Sequence, residues 1–365
     1  MSRKSEVFVV GGGPAGLSAA IVAAKLGARV LLVDDNPMLG GQLVKQTHRF
    51  FGSSARDAGI RGISIAEKLR MEAQAIKKNL VVQLNTSAVG FYGEGEAGIL
   101  TPERYEKVTY ERVIVGTGAV ENSLNFENND LPGIYGAGAV QTLMNVHGIR
   151  PGKRILMVGS GNIGLIVSYQ LLQAGVEVVG VVEAMPTIGG YLVHASKIRR
   201  LGIPIMTGHT IVSANGDLGV TGATLCQLDE KYQRVPNTEF EIICDCICLA
   251  VGLSPLIELF QQASCKMVFV PELGGLVPLQ DGNMRTSNPR VYVAGDASGI
   301  EEATTAILGG RIAGARAFES LHGPSSDAQK IVDDAAGELK SLRSGSTGNR
   351  IRWGRERVTQ EIASC

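Results

Sequence analysis

The chain carries a glycine fingerprint twice. The first copy is Gly11-x-Gly13-Pro14-Ala15-Gly16, directly after the apolar run Val7–Val10. The second is Gly159-x-Gly161-Asn162-Ile163-Gly164, after Ile155–Val158. Each opens a helical pattern, passes to a second apolar run and ends on an acid: Asp34, followed by Asp35, in the first copy and Glu183 in the second. A single motif of this kind is weak evidence. Two complete βαβ units predict two dinucleotide pockets, and with them passage of electrons between two carriers.

In each unit the first glycine permits the strand-to-helix turn, the second lets backbone approach a pyrophosphate, and the third lets helix and strand pack closely. The helix N-terminus, with unpaired N–H groups and a positive dipole end, suits an anion. Asp34 is then expected to accept from a ribose hydroxyl pair. Glu183 would take a 2′-hydroxyl and repel a 2′-phosphate, and the following Ala184-Met185-Pro186 brings no arginine. That favours NAD over NADP; ADP, ATP or a pocket kept only as architecture remain alternatives for the second unit.

The repeat extends past the fingerprints. Residues 6–10 and 29–34 read as strands around a helix 14–27, and a second helical pattern covers 63–78. Strand 112–115 ends in Gly116-Thr117-Gly118-Ala119, and the run Ile242–Leu249 ends in the similar Ala250-Val251-Gly252-Leu253. Strand 291–294 and helix 303–322 read as a return that completes the first domain. The expected fold is α/β: two Rossmann-like three-layer nucleotide-binding domains, the second inserted in the first, plus a small C-terminal tail. The boundaries read as 1–148 with 255–322, then 149–254, then 323–365.

Composition bounds the partners. Lys+Arg and Asp+Glu are balanced at 35 each in 365 residues, which argues against nucleic acid and anionic membranes. No run reaches the length of a membrane span, and the sequence enters its first strand without a signal peptide. Cysteines stand at 226, 244, 246, 248, 265 and 365, with no C-x-x-C. Cys244, Cys246 and Cys248 alternate and are expected on one face of a buried strand; a metal site is the alternative, at a spacing poorly matched to known ligand sets, and none is assigned. Reduced thiols suit a cytoplasmic setting. In the tail, Ile331, Ala335, Leu339 and Leu342 form a helical stripe, and Arg343, Arg350, Arg352, Arg355 and Arg357 surround Trp353. That segment reads either as a solvated tail or as a subunit contact, including one between copies of the chain.

With these motifs the chain resembles, over about residues 5–322, the flavoprotein oxidoreductases with two dinucleotide-binding domains, the class of thioredoxin reductase. Gly40-Gly41-Gln42-Leu43 is similar to the stretch that lines the flavin in that class. Gly116–Ala119 is similar to the strand end that closes over FAD, and Val293-Ala294-Gly295-Asp296-Ala297 to the late motif whose Asp binds the ribityl chain. The resemblance implies FAD in the first domain, held by Gly11, Gly13, Pro14, Ala15, Gly16, Asp34 and Asp35. Gly41, Gln42, Thr47, Thr117, Gly118, Gly295, Asp296, Ala303 and Thr304 complete that expected set. It implies NAD(H) in the second domain, on Gly159, Gly161, Asn162, Ile163, Gly164, Glu183 and Gly252.

Leu131-Pro132-Gly133-Ile134-Tyr135-Gly136-Ala137-Gly138-Ala139 and Gly159–Leu165 narrow the resemblance. They resemble the FAD-containing alpha-type subunits of heteromeric amine and amino-acid dehydrogenases, found in hydrogen cyanide synthase, opine oxidase, sarcosine oxidase and dye-linked proline dehydrogenase. The resemblance implies a partner subunit that oxidises the amine, while this chain relays electrons to or from a nicotinamide or another acceptor. The redox cysteine pair of the disulfide reductases is missing, both after Gly41 and at Thr187–Leu192, and no C-terminal His-Glu pair is evident. His48 is the candidate proton donor, since an unperturbed imidazole titrates near neutrality; positioning and surface roles stay open. Glu301 and Glu302 precede the helix at Ala303, where Glu302 reads as a cap. Two other readings remain: direct oxidation of a small amine or amino acid, with Arg49 as carboxylate clamp, and a non-catalytic FAD- and nucleotide-binding scaffold.

Overall fold

The computed structural model describes residues 3–53, 56–76, 78–93, 95–345 and 348–363. Its helices are α1 (Pro14–Leu26), α2 (Gly62–Ala75), α3 (Ala137–Asn145), α4 (Asn162–Gln173), α5 (Leu192–Arg200), α6 (Glu258–Gln262), α7 (Ala303–His322), α8 (Ser326–Leu342) and α9 (Asn349–Ala363). The chain forms two packed units. One is built from 1–44, 49–120 and 254–365, the other from 45–48 and 121–253.

In the first unit, strand β1 (Arg3–Val10) begins polar, and its second half, Val7–Val10, is apolar on both faces, as a stretch covered on both sides must be. Val7 and Val9 enter a core shared with α1, α2, α7 and α8, whereas Phe8 and Val10 face a second core with Leu259 and Phe260. β1 pairs in parallel with β2 (Val30–Val33), which pairs in parallel with β3 (Leu80–Gln83). After the antiparallel pair β4 (Ser87–Phe91) and β5 (Glu96–Leu100), the long β6 (Tyr105–Val115) joins two arrangements. Its first half pairs antiparallel with β5; its other edge runs parallel to β1, and its end runs parallel to the late strand Val291–Val293.

Helices α1 and α7 cross in the first core with almost no side-chain volume between them. A Cβ added at Gly310 would lie 2.1 Å from the Ala15 carbonyl oxygen, and one at Gly314 2.3 Å from that of Ala19. Only residues without a Cβ allow this approach. Helix α8 starts on Ser325, whose hydroxyl accepts from Ala328 N, and buries Ala328, Val332, Ala335 and Leu339 in the same core. Helix α9 seals a smaller cluster through Val358 against Val268, Val270 and Leu273. The tail is thus packed structure, although Trp353 stays 61% exposed.

The second unit repeats the plan. Its parallel sheet runs Ile205–Thr207, Glu177–Glu183, Arg154–Val158, Cys246–Leu249, Ile134–Gly136. An antiparallel sheet of His209–Asn215, Gly222–Gln227 and Phe240–Ile242 covers one side. Both units are Rossmann-like α/β layers, the second lying within the sequence of the first. By packing, the second unit already includes residues from 121, earlier than the expected 149, because Ile134–Gly136 adds a strand to its sheet and α3 packs beside α4.

One expected strand is two. Residues 242–249 do not run continuously: Phe240–Ile242 ends in the antiparallel sheet, and Cys246–Leu249 belongs to the parallel one. Cys246 and Cys248 therefore share a face in one core, while Cys244 sits in the other. Burial pushes the three thiols up, Cys244 to about 11, Cys246 to about 12 and Cys248 well above the usual range. No metal-holding cluster occurs among the described residues, and Cys365 lies outside them.

The helix crossing gives a direct test. Gly314→Ala should lower stability by about 1–3 kcal/mol through overpacking against backbone. Gly337→Ala, in α8 with no atom near the new methyl, should be neutral or gain about 0.5–1 kcal/mol. Melting temperatures of the two variants check this; equal shifts would contradict the crossing as described.

Candidate nucleotide sites

In the first unit the end of β1, the turn and α1 are locked by contact. A Cβ at Gly11, where φ is +96°, would lie 2.4 Å from the Gly116 carbonyl oxygen, and one at Gly16 1.9 Å from that of Gly11. Helix α1 begins at Pro14 with Gly13 as N-cap, no side-chain cap and no acid in its first turn. Its leading N–H groups are left to an anion. A Cβ at Gly13 would meet nothing nearer than 3.9 Å, so the backbone there is open to close approach.

Asp34 is buried at the end of β2 and braces this turn. Its Oδ2 accepts from Gly12 N at 2.5 Å, and its Oδ1 accepts from Asn36 N and Nδ2. Asp35 lies beside it, its carboxyl raised by partial desolvation and by the Asp34 charge. The Gly40-Gly41 turn is tied in by Gly40 N donating to Gly12 O, and Gly41 packs on Gly13; Gln42 next to it is exposed. Thr117 Oγ1 donates to Leu256 O, and Gly118 O accepts from Leu256 N. Gly295 closes on the start of α1, where a Cβ would come within 2.7 Å of Ala15 Cβ. Ala303 and Thr304 then open α7, whose N-cap is Glu302 without a side-chain cap bond. These segments meet at the carboxyl ends of β1, β2, β6 and Val291–Val293, where open parallel sheets bind ligands. Uncapped N–H groups, an open glycine turn and a carboxylate beside it fit the diphosphate and ribose of a dinucleotide.

The second unit builds the same corner. Gly159 and Gly164 are forced by Ala250 O at 2.2 Å and Gly159 O at 2.1 Å, and α4 starts at Asn162 with Gly161 as uncapped N-cap. Glu183 Oε2 accepts from Ser160 N and Oγ, and its Oε1 from Met185 N. Both acids therefore shape their glycine turns. Asn162 Oδ1 accepts from Tyr191 N, Ile163 is partly exposed, and Gly252 O accepts from Asn122 N.

Thr47 and His48 follow Gly41-Gln42 in sequence but group by contact with the second unit. Residues 45–48 pack with the second unit, where Thr47 Oγ1 accepts from Gln170 Nε2. His48 does not keep a near-neutral titration: burial, with the charges of His194 and Lys197, pulls it down to about 4. Lys45, lowered by burial against the pull of Glu121, donates to Gly138 O and Thr142 Oγ1, while Glu121 Oε1 accepts from Gly138 N. Neither Lys45 nor Glu121 carried a sequence signal, being far apart in the chain. Arg49 donates to Gly59 O within its own loop. Glu301, expected only as a charge before α7, is clamped between Arg343 and Arg355.

Residues 5–310 match the pattern of the pyridine nucleotide-disulphide oxidoreductases. The chain belongs to this family. Membership makes it an FAD-dependent oxidoreductase by class. It is 30% identical over 324 residues to sarcosine oxidase subunit alpha of Corynebacterium sp., covering 86% of this chain but only 32% of that protein. It is 30% identical over 327 residues to hydrogen cyanide synthase subunit HcnB of Pseudomonas aeruginosa, covering 84% of this chain and 69% of that one. In fold it is similar to T. acidophilum thioredoxin reductase, with a TM-score of 0.71 at 22% identity over 87% of this chain and 99% of the other. It is likewise similar to L-proline dehydrogenase from P. horikoshii, with a TM-score of 0.67 at 22% identity over 91% of this chain and 59% of that one. No helix among the described residues is long and apolar enough to cross a membrane.

Imidazole proton NMR tests the His48 environment. The ring should stay neutral from pH 8 down to 5 and titrate near 4; a transition near 6.5 would contradict the burial described.

Proposed function

We propose that this chain is the nicotinamide-linked FAD subunit of an amine or amino-acid dehydrogenase, relaying electrons between NAD(H) and a partner subunit. The observation that carries this reading is the doubled corner: two parallel-sheet units, each with an uncapped helix start behind a glycine turn and a carboxylate bonded to that turn. In the first unit Gly11–Gly16, Asp34, Gly41, Thr117, Gly118, Asp296 and the start of α7 would hold FAD. In the second, Gly159–Gly164, Glu183 and Gly252 would hold NAD(H), with the Glu183 carboxylate disfavouring a 2′-phosphate. When bound, these groups supply two-electron hydride exchange, for which the protein provides binding, orientation and electrostatics.

The names of the relatives support the class of substrate and the partner, since they are called subunits of a sarcosine oxidase, a hydrogen cyanide synthase and an opine oxidase. The five described cysteines are buried, which supports a relay without dithiol chemistry. For direct oxidation at this flavin, the clamp candidate Arg49 has one N–H already donating to Gly59 O. A reducing, cytoplasmic setting is part of the proposal.

Anaerobic mixing of the FAD-loaded protein with NADH tests the reading. Rapid loss of the flavin absorbance is expected; loss with an amino acid alone points to direct oxidation, and no response to either leaves a scaffold. Asp296→Ala should lower flavin content at purification. Glu183→Ala should raise the NADH concentration for half-maximal bleaching about tenfold or more, the scale of one lost charge-assisted contact. Unchanged NADH dependence would remove the second pocket from the scheme.

A further inference from the structure

The family match ends at residue 310, yet two arginines well beyond it reach into the Gly295–Glu301 loop. Arg343, at the end of α8, donates from Nε and NH2 to the two carboxylate oxygens of Glu301, both at 2.8 Å. Arg355, from α9, donates to the same carboxylate from Nε and NH2 at 3.1 and 2.6 Å. It also donates from NH1 to Ser298 O at 2.8 Å and from NH2 to Ser298 Oγ at 3.1 Å. The Glu301 side chain is only 6% exposed, so this is a largely dehydrated charge cluster with a fixed fork geometry.

The loop it grips carries Asp296. Glu301 N donates to Asp296 Oδ1 at 3.4 Å, Gly299 N to Asp296 O at 3.0 Å, and Ser298 Oγ to Gly295 O at 2.7 Å. Asp296, Glu301, Arg343 and Arg355 line one crevice with room for about one water molecule, together with Thr305 and Ala306 of α7.

We propose that α8 and α9 form a positioning device for the flavin site, in which Arg343 and Arg355 hold Glu301, and through it set both the place and the charge of Asp296. The proposal rests on the reading of the first unit as an FAD site. Arg355 and Glu301 are positioning residues here, acting on the ligand through Asp296.

The electrostatics of the crevice make the idea measurable. Burial pushes the Asp296 carboxyl up to about 6; the Glu301 N–H opposes this, the Glu301 charge adds to it, and the Arg355 charge opposes it. Burial alone would raise Glu301 too, but Arg355 and then Arg343 outweigh it and hold that carboxyl low, so it stays anionic. The charged groups at the crevice are Glu301 from the same loop, Arg343 from α8 and Arg355 from α9. Where α1 and α7 meet the loop they offer Ala15, Thr305 and Ala306, which do not titrate, and Glu272 of the 271–273 turn is paired with Arg357. A carboxylate accepts a hydroxyl hydrogen bond better than a carboxylic acid does. Affinity for FAD should therefore fall as pH drops through about 6.

The test is FAD affinity of the full chain from pH 5 to 8, followed by flavin fluorescence, with circular dichroism to check folding. Arg355→Met should move the midpoint of the pH dependence upward by about one unit, because it removes a nearby opposite charge. Near pH 6 that corresponds to roughly fivefold weaker binding, approaching about tenfold toward pH 5. Glu301→Gln should move the midpoint downward, because it removes a like charge. Arg355→Lys keeps the charge but loses the fork, so affinity should drop with the midpoint in place. A merely structural role predicts weaker binding in all three with a common midpoint. Unshifted midpoints, shifts of the same sign, or a wild-type affinity flat across the range overturn the proposal. If Arg355→Met does not fold, the downward shift in Glu301→Gln decides alone. A wild-type chain that binds no FAD at any pH overturns the functional reading itself, which separates the two failures.

Discussion

The contact on which the first unit depends is the crossing of α1 and α7. Gly310 and Gly314 let the α7 backbone lie against the carbonyl groups of Ala15 and Ala19. Dispersion attraction acts only at short range, so backbone contact without intervening side chains gives a rigid joint. The glycine turn after β1 leads into one helix of that joint, and the Gly295–Asp296 loop leads into the other. Segments separated by most of the sequence are thereby held in fixed register, with Gly295 against Ala15. The nucleotide corner follows from this packing and needs no long side chains to define it.

The same solution appears in both units. Where the first strand ends, the next chain segment passes so close that a side chain has no room: Gly116 against Gly11, and Ala250 against Gly159. The acid at the end of the second strand bonds to the turn it faces, Asp34 to Gly12 and Glu183 to Ser160. A carboxylate so placed is fixed before any ligand arrives, which limits the ordering cost of binding. The units differ in what surrounds the corner. The first gains a late strand and α7, with α8 and α9 beyond; the second closes with an antiparallel sheet.

Much of this was legible in the sequence because it follows from local rules. Helix α7 runs from Ala303 to His322 as its pattern indicated, and both βαβ units stand where the glycines and apolar runs put them. The Ile242–Leu249 run was misread as one strand because alternation survives a change of sheet. The chain turns at Ile243–Asp245, and Cys244 crosses to the other core while the apolar pattern continues. Thr47 and His48 were legible only as neighbours of the Gly40–Leu43 segment; the packing partners of residues 45–48, among them Gly138, Thr142 and Gln170, are distant in the chain and of ordinary type. Arg343 and Arg355 were visible as charges, but an arginine-rich tail looks the same in sequence whether it is solvated or, as here, folded onto Glu301.

The interrupted course of the first unit has a consequence for biosynthesis. Residues 121–253 leave the ribosome as a continuous block with every strand of their sheets present, whereas the host unit still lacks Val291–Val293 and α7 at that point. Folding during translation can therefore finish the inserted unit first, while the opening βαβ segment waits with an apolar face uncovered. The Ala-rich flank of α1 is the surface that stays exposed in that interval, and it is hidden only when the glycines of α7 emerge.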